Sequence, residues 1–151
     1  MPGLEDLYRE IILDHYRHPR NRGELPTPPA TRAEGFNPLC GDRLTVFLEM
    51  DGDRIKEVTF EGTGCAISRA SASIMTDALK GKTVAEADAL FERFHRLVTS
   101  DPDAPPDTTG LGKLAVFAGV REYPSRIKCA TLSWHTLRAA VVTGEARVST
   151  E

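Results

Sequence analysis

The sequence predicts an α+β domain organised on an antiparallel hairpin, and three observations carry that expectation. Two adjacent runs rich in strand formers, residues 43–50 and 55–61, flank the turn signal Asp51-Gly52-Asp53. Apolar residues recur at helical intervals both before this hairpin and in the segments after it. The 151 residues show no internal repeat and match the size of one ordinary domain, taken here as residues 1–151.

In chain order, Leu4, Leu7, Tyr8, Ile11, Ile12 and Tyr16 approximate one face of a helix over residues 4–17. Glu5 and Asp6 lie in its first turn, where they suit the helix dipole. Pro19 ends it. Gly23, Pro26, Pro28, Pro29 and Gly35 then make residues 19–38 a surface loop. In the second strand run, Ile55, Glu57, Thr59 and Glu61 alternate imperfectly with Lys56, Val58 and Phe60. Residues 66–79 are rich in Ser and Ala and predict a helix with a small-residue face that packs closely on the sheet, stopped by Gly81. Thr83 and Glu86 have capping-box spacing ahead of the helical pattern Val84, Ala87, Leu90, Phe91, Phe94 and Leu97. Residues 101–110 are polar and proline-rich, a loop. A short helix over 111–120 and a last helix after Pro124, ending near Gly144, complete the chain, and the tail is expected to fray.

A net charge of -3 and a pI near 5.8 exclude the electrostatic footprint of a nucleic-acid binder, despite the local basic cluster between Arg17 and Arg22. With three cysteines, no signal peptide and no long apolar run at the N-terminus, the expectation is a reduced, cytoplasmic protein with no membrane segment. Glutamine is absent and asparagine occurs only at positions 21 and 37, a pattern associated with proteins that work hot.

The chemistry converges on the cysteines. Cys40 and Asp42 flank Gly41 at the entrance to the first strand, so in extended backbone they point to one side. Cys65 follows the second strand. Because hairpin strands run in opposite directions, those two ends meet. Cys65 and Cys129 both precede or open predicted helices, where free N–H groups favour a thiolate. Three thiolates and one carboxylate would make a four-ligand site for zinc or hold an iron-sulfur cluster, and the carboxylate marks a site from which a ligand can leave. Arg126 and Lys128 beside Cys129 would offset the negative charge. Read from the residues alone, other assignments stay open: the cysteines as ordinary buried small residues, Asp42 as a turn residue, Arg126 and Lys128 as solvated surface charges. His15 and His18 suit the C-terminal end of the first helix, and His95 and His135 suit a surface or core edge. Trp134 suits the core.

Together these residues resemble the U-type iron-sulfur assembly family, comprising IscU, SufU and the N-terminal part of NifU. The resemblance is carried by Ile12-Leu13-Asp14-His15-Tyr16, Pro19-Arg20-Asn21-Arg22-Gly23, Cys40-Gly41-Asp42, Gly64-Cys65-Ala66, Gly81-Lys82-Thr83 and Arg126-Ile127-Lys128-Cys129. It implies a small antiparallel sheet with helices on one face, the SufE/NifU-like architecture. It also implies Cys40, Asp42, Cys65 and Cys129 as metal or cluster ligands, and work beside a pyridoxal-phosphate-dependent cysteine desulfurase. Lys128 stands where IscU members carry histidine, Glu122-Tyr123-Pro124-Ser125-Arg126 replaces their chaperone-binding segment, and extra sequence lies between Gly81 and Cys129. All three features resemble SufU members, which implies bound zinc and a sulfur-acceptor role, with Cys40 as the persulfide acceptor. The expected function is therefore a zinc-binding sulfur acceptor, a scaffold for a transient [2Fe-2S] cluster that passes to apo iron-sulfur proteins, or both. An accessory or scaffold protein is expected rather than a stand-alone enzyme. The alternatives are a structural zinc domain that mediates protein contacts and, last, a Cys-His thiol enzyme, since no histidine is evidently placed to activate a cysteine.

Overall fold

A computed structural model describes residues 3–27, 29–143 and 145–149. Its elements are helix α1 (Gly3–Arg17), strands β1 (Thr31–Asn37), β2 (Asp42–Asp51) and β3 (Arg54–Thr63), helices α2 (Ala66–Leu79) and α3 (Val84–Thr99), a 3-10 segment (Gly112–Glu122), helix α4 (Pro124–Thr143) and strand β4 (Glu145–Ser149). The sheet has the order β3-β2-β1-β4. Its first three strands are antiparallel, and β4 joins β1 in parallel. Pro28 and Gly144, assigned above to the loop and to the end of the last helix, lie outside the described residues.

The hairpin β2–β3 forms where the turn signal placed it, with Asp51 opposite Arg54 and Arg43 opposite Thr63. The imperfect alternation of β3 has a physical cause. Glu49 pairs with Glu57 but Met50 pairs with Ile55, so Lys56 is the extra residue of a β-bulge and Ile55 is buried together with Val58 and Phe60. Leu44, Val46 and Leu48 of β2 complete the inner face.

Two strands were hidden from the sequence. The expected loop over 19–38 contains β1, whose Ala33, Gly35 and Asn37 are buried in alternation with more exposed neighbours. Gly35 reads as a breaker but serves close packing: a Cβ there would collide with Thr136 Oγ1 of α4. Nor does the tail fray, since Glu145 to Ser149 lie alongside Arg32 to Phe36. This short, charged strand has no local hydrophobic signal; α4 delivers it to the edge of β1.

Helices α2 and α4 cover the inner face, and the aromatic part of the core lies behind them. Trp134 of α4 packs against Phe94 at 5.2 Å and Phe91 at 5.6 Å between ring centroids, and Phe94 meets Phe117 of the 3-10 segment edge-on at 5.8 Å. The small residues of α2 allow the expected close approach. Ser71 Oγ donates to the Ala130 carbonyl at 2.6 Å and accepts from Trp134 Nε1 at 3.3 Å. The capping box of α3 is present: Thr83 Oγ1 accepts from Glu86 N, and Glu86 Oε1 accepts from Thr83 N.

Helix α1 turns a slightly different face inward than its apolar residues suggest. Leu7 is exposed, and the inward row is the partly buried Tyr8, Ile11 and Ile12 with the buried His15. His15 is thus a core residue rather than a solvent-facing partner of the helix dipole, with Nδ1 2.7 Å from Ser73 Oγ of α2. The basic stretch after α1 fastens to the same helix. Arg20 N donates to Ser73 Oγ at 2.8 Å, and Asn21, in the left-handed region at φ 55°, donates from Nδ2 to Thr76 Oγ1 at 3.2 Å.

Candidate metal centre

Three parts of the chain meet at one end of the sheet. The β1–β2 turn carries Cys40, β2 opens with Asp42, the β3–α2 junction carries Cys65, and α4 brings Cys129 across from the other side of the sequence. Gly41 makes the tight turn with φ 71°, a conformation that disfavours any Cβ. Asp42 is buried, and its Oδ1 accepts from Cys65 N at 2.8 Å, so the carboxylate closes the start of α2 onto the start of β2. Gly64 leaves the space it needs: a Cβ on Gly64 would lie 2.8 Å from that same oxygen.

The ligand atoms of Cys40, Asp42 and Cys129 all lie within 4.8 Å of one another, the one such group of three or more found among the described residues. Cys129 Sγ is 3.2 Å from Cys40 Sγ, and Cys65 Sγ is 3.9 Å from Asp42 Oδ2. Zinc-sulfur bonds of about 2.3 Å give a tetrahedral edge of about 3.8 Å. Cys40 and Cys129 would span such an edge once their sulfurs part by about 0.6 Å. Cys65, the fourth ligand expected from the sequence, lies outside this group of three and meets it through Asp42, to whose Oδ2 its thiol donates.

The three sulfurs differ in environment. Cys40 is exposed, Cys65 half-buried and Cys129 buried. Cys65 is the N-cap of α2 and its sulfur accepts from Ser68 N at 3.5 Å. The Cys129 thiol donating to it, followed by the Ser68 and Ile67 amides, brings its pKa down to about 7. Cys129 is pushed the other way, first by the hydrogen bond its thiol donates toward Cys65, which holds the proton on it, then by burial and the Asp42 carboxylate. Cys129 is not at the helix N-terminus, as its sequence context suggested. It lies beyond the first turn of α4, and the donor facing its sulfur is the side chain of Asn37, with Nδ2 3.4 Å away. Sequence reasoning missed Asn37. Its rarity was the available signal, because in a chain with only two asparagines both make specific buried or half-buried hydrogen bonds.

Of the basic residues beside Cys129, Arg126 stacks its guanidinium 4.3 Å over the Tyr123 ring, and Lys128 is half-buried. His95 and His135 both pack edge-on against Phe91, and neither is in the group of ligand atoms. Among the described residues, no helix is long and apolar enough to cross a membrane.

Fold and site together define an α+β domain that groups two thiols and a carboxylate at one end of its sheet, with a third thiol beside the carboxylate. The chain belongs to the family described as the NifU-like N terminal domain, which its residues 7–130 match. It is 42% identical over 143 residues to the zinc-dependent sulfurtransferase SufU of Bacillus subtilis strain 168, covering 95% of each chain. It is 39% identical over 138 residues to the iron-sulfur cluster assembly scaffold protein IscU of Streptococcus pyogenes serotype M1, covering 91% of this chain and 84% of that one. Among solved structures, the N-terminal part of a NifU-like protein from Brucella abortus superposes with a TM-score of 0.78 at 25% identity, covering 91% of this chain and 94% of that one.

Proposed function

We propose that this chain is an iron-sulfur cluster assembly protein of the SufU kind. It holds zinc through Cys40, Asp42, Cys65 and Cys129 and takes sulfur from a pyridoxal-phosphate-dependent cysteine desulfurase in the cytoplasm. The observation that carries the reading is the convergence of Cys40, Asp42 and Cys129, with Cys65 set against the same carboxylate, in which one sulfur alone, Cys40, is exposed. Bound there, zinc keeps the thiols deprotonated at neutral pH. Asp42 and Cys65 lock the two strand ends together, and Cys129 closes the group from α4. Arg126 and Lys128 supply positive charge in the turn leading to Cys129. Cys40 sits on a turn that can swing outward, so its thiolate attacks the outer sulfur of the desulfurase persulfide. A new S–S bond forms on Cys40, the donor's S–S bond breaks, and its electron pair leaves on the donor cysteine as thiolate.

A scaffold role is a second reading, favoured by the identity to IscU and by the single carboxylate in the donor set, from which a nascent [2Fe-2S] cluster could pass to apo iron-sulfur acceptor proteins. A purely structural zinc domain fits less well, because it gains nothing from leaving Cys40 exposed. Metal and labile-sulfide analysis of protein purified without oxygen, with a desulfurase activation assay, tests these readings. About one zinc per chain, no labile sulfide and faster desulfurase turnover are expected. Exchange-inert zinc with unchanged turnover would leave the structural domain, and a reconstituted cluster that transfers to an apo-acceptor would establish the scaffold.

A further inference from the structure

Asn37 is fully buried at the end of β1, where it pairs across the strands with Asp42. Its hydrogen bonds are divided between Cys129 and the turn that carries Cys40, the two cysteines whose fates must differ. Oδ1 accepts from Leu39 N at 3.2 Å and the main-chain carbonyl accepts from Cys40 N at 3.3 Å, which shapes the turn carrying the exposed thiol. Because Leu39 N–H fixes the oxygen end of the amide, the nitrogen end must face Cys129 Sγ, 3.4 Å away. Cys65 has its own donor in Ser68 N. Among the described residues, Cys40 Sγ accepts from no N–H group; its one sulfur contact is Cys129.

We propose that Asn37 is a positioning residue that selects which sulfur becomes the acceptor. An N–H group aimed at a thiolate stabilises its charge, lowers its nucleophilicity and holds it among the ligands. Cys129 is restrained in this way by Asn37 and Cys65 by the start of α2, so Cys40 is the sulfur left unrestrained, and Asn37 also orients its turn. This rests on the sulfur-acceptor reading above.

Two variants separate the two jobs of the side chain. Asn37→Ala removes both hydrogen bonds, whereas Asn37→Asp keeps the acceptor for Leu39 N and loses the donor to sulfur. Cobalt-substituted protein reports the donor directly, since loss of an N–H···S bond moves the sulfur-to-cobalt charge-transfer band to lower energy. Both variants should show that shift. After incubation with desulfurase and cysteine, mass spectrometry of the persulfide sites should find wild type labelled on Cys40. The share on Cys129 should rise by about tenfold in both variants, the weight of one hydrogen bond to a charged group. An unshifted band in both variants overturns the hydrogen bond and the proposal with it. A shifted band with label still confined to Cys40 overturns the selection while leaving the acceptor reading intact. Wild type without persulfide on any cysteine overturns the acceptor reading and the selection built on it, whatever the cobalt spectrum shows.

Discussion

Replacing Gly64 by alanine sets a methyl group against the Asp42 carboxylate without asking anything unusual of the backbone. Gly64 is not among the glycines with positive φ, so the contact is the whole effect. The added Cβ would lie 2.8 Å from Oδ1 and 3.3 Å from both Cβ and Cγ of Asp42. An ordinary carbon-oxygen contact needs about half an ångström more. The carboxylate cannot retreat freely, because it is buried and the same oxygen accepts from Cys65 N at 2.8 Å. Overpacking of this kind costs about 1–3 kcal/mol. The strain falls on the group that joins β2 to the start of α2, so Gly64→Ala should weaken zinc binding by about 10–100-fold, the range for disturbing a group that orients ligands. Competition with a chromophoric chelator measures the affinity, and urea unfolding of the metal-free protein measures the strain. Affinity within twofold of wild type would refute the claim that Asp42 is held at its limit of space.

Cys40→Ala should fold normally, with metal-free stability within about 0.5 kcal/mol of wild type because the side chain is exposed, yet accept no persulfide; persulfide acceptance at the wild-type level would move the acceptor role to another cysteine. Metal-free protein treated with diamide should lose the Cys40 and Cys129 thiols together, their sulfurs being 3.2 Å apart, and keep Cys65 free; peptide mapping that pairs Cys65 instead would contradict this arrangement. Burial lowers the pKa of both His15 and His135 below the ordinary 6.5, so the unfolded chain takes up these protons first. Their contribution is therefore complete above pH 6.5 and is lost as the pH falls below it. Urea midpoints should drop between pH 7.5 and 5.5, and a flat profile would show that the two rings are not desolvated.

The sequence was most legible where a local pattern and its tertiary use coincide. The Asp51-Gly52-Asp53 turn, the Thr83 and Glu86 cap and the small residues of α2 are each readable within a few positions, and each forms as expected. Juxtaposition of Asp42 and Cys65 followed from hairpin direction alone. Legibility ended where a partner far along the chain sets the conformation. Gly35 looks like a strand breaker until Thr136 is seen against it, and β4 has no pattern apart from the edge that β1 offers. His15 completes the i, i+3, i+4, i+7 row begun by Tyr8, a spacing that outweighs its polarity once Ser73 is there to meet it. The four candidate ligands were identifiable from residue type and family resemblance. The inequality among their sulfurs was not, because it comes from burial and from the donors each sulfur faces.

Cys65 has a structural duty the other two cysteines lack, since its sulfur caps the helix that forms the middle of the molecule. Carrying cargo on that atom would withdraw the acceptor from the Ser68 amide and loosen the first turn of α2, against which both α1 and α4 lean. A protein that must load and unload sulfur repeatedly does better to put the traffic on a hairpin tip, where chemistry at one residue leaves the architecture undisturbed.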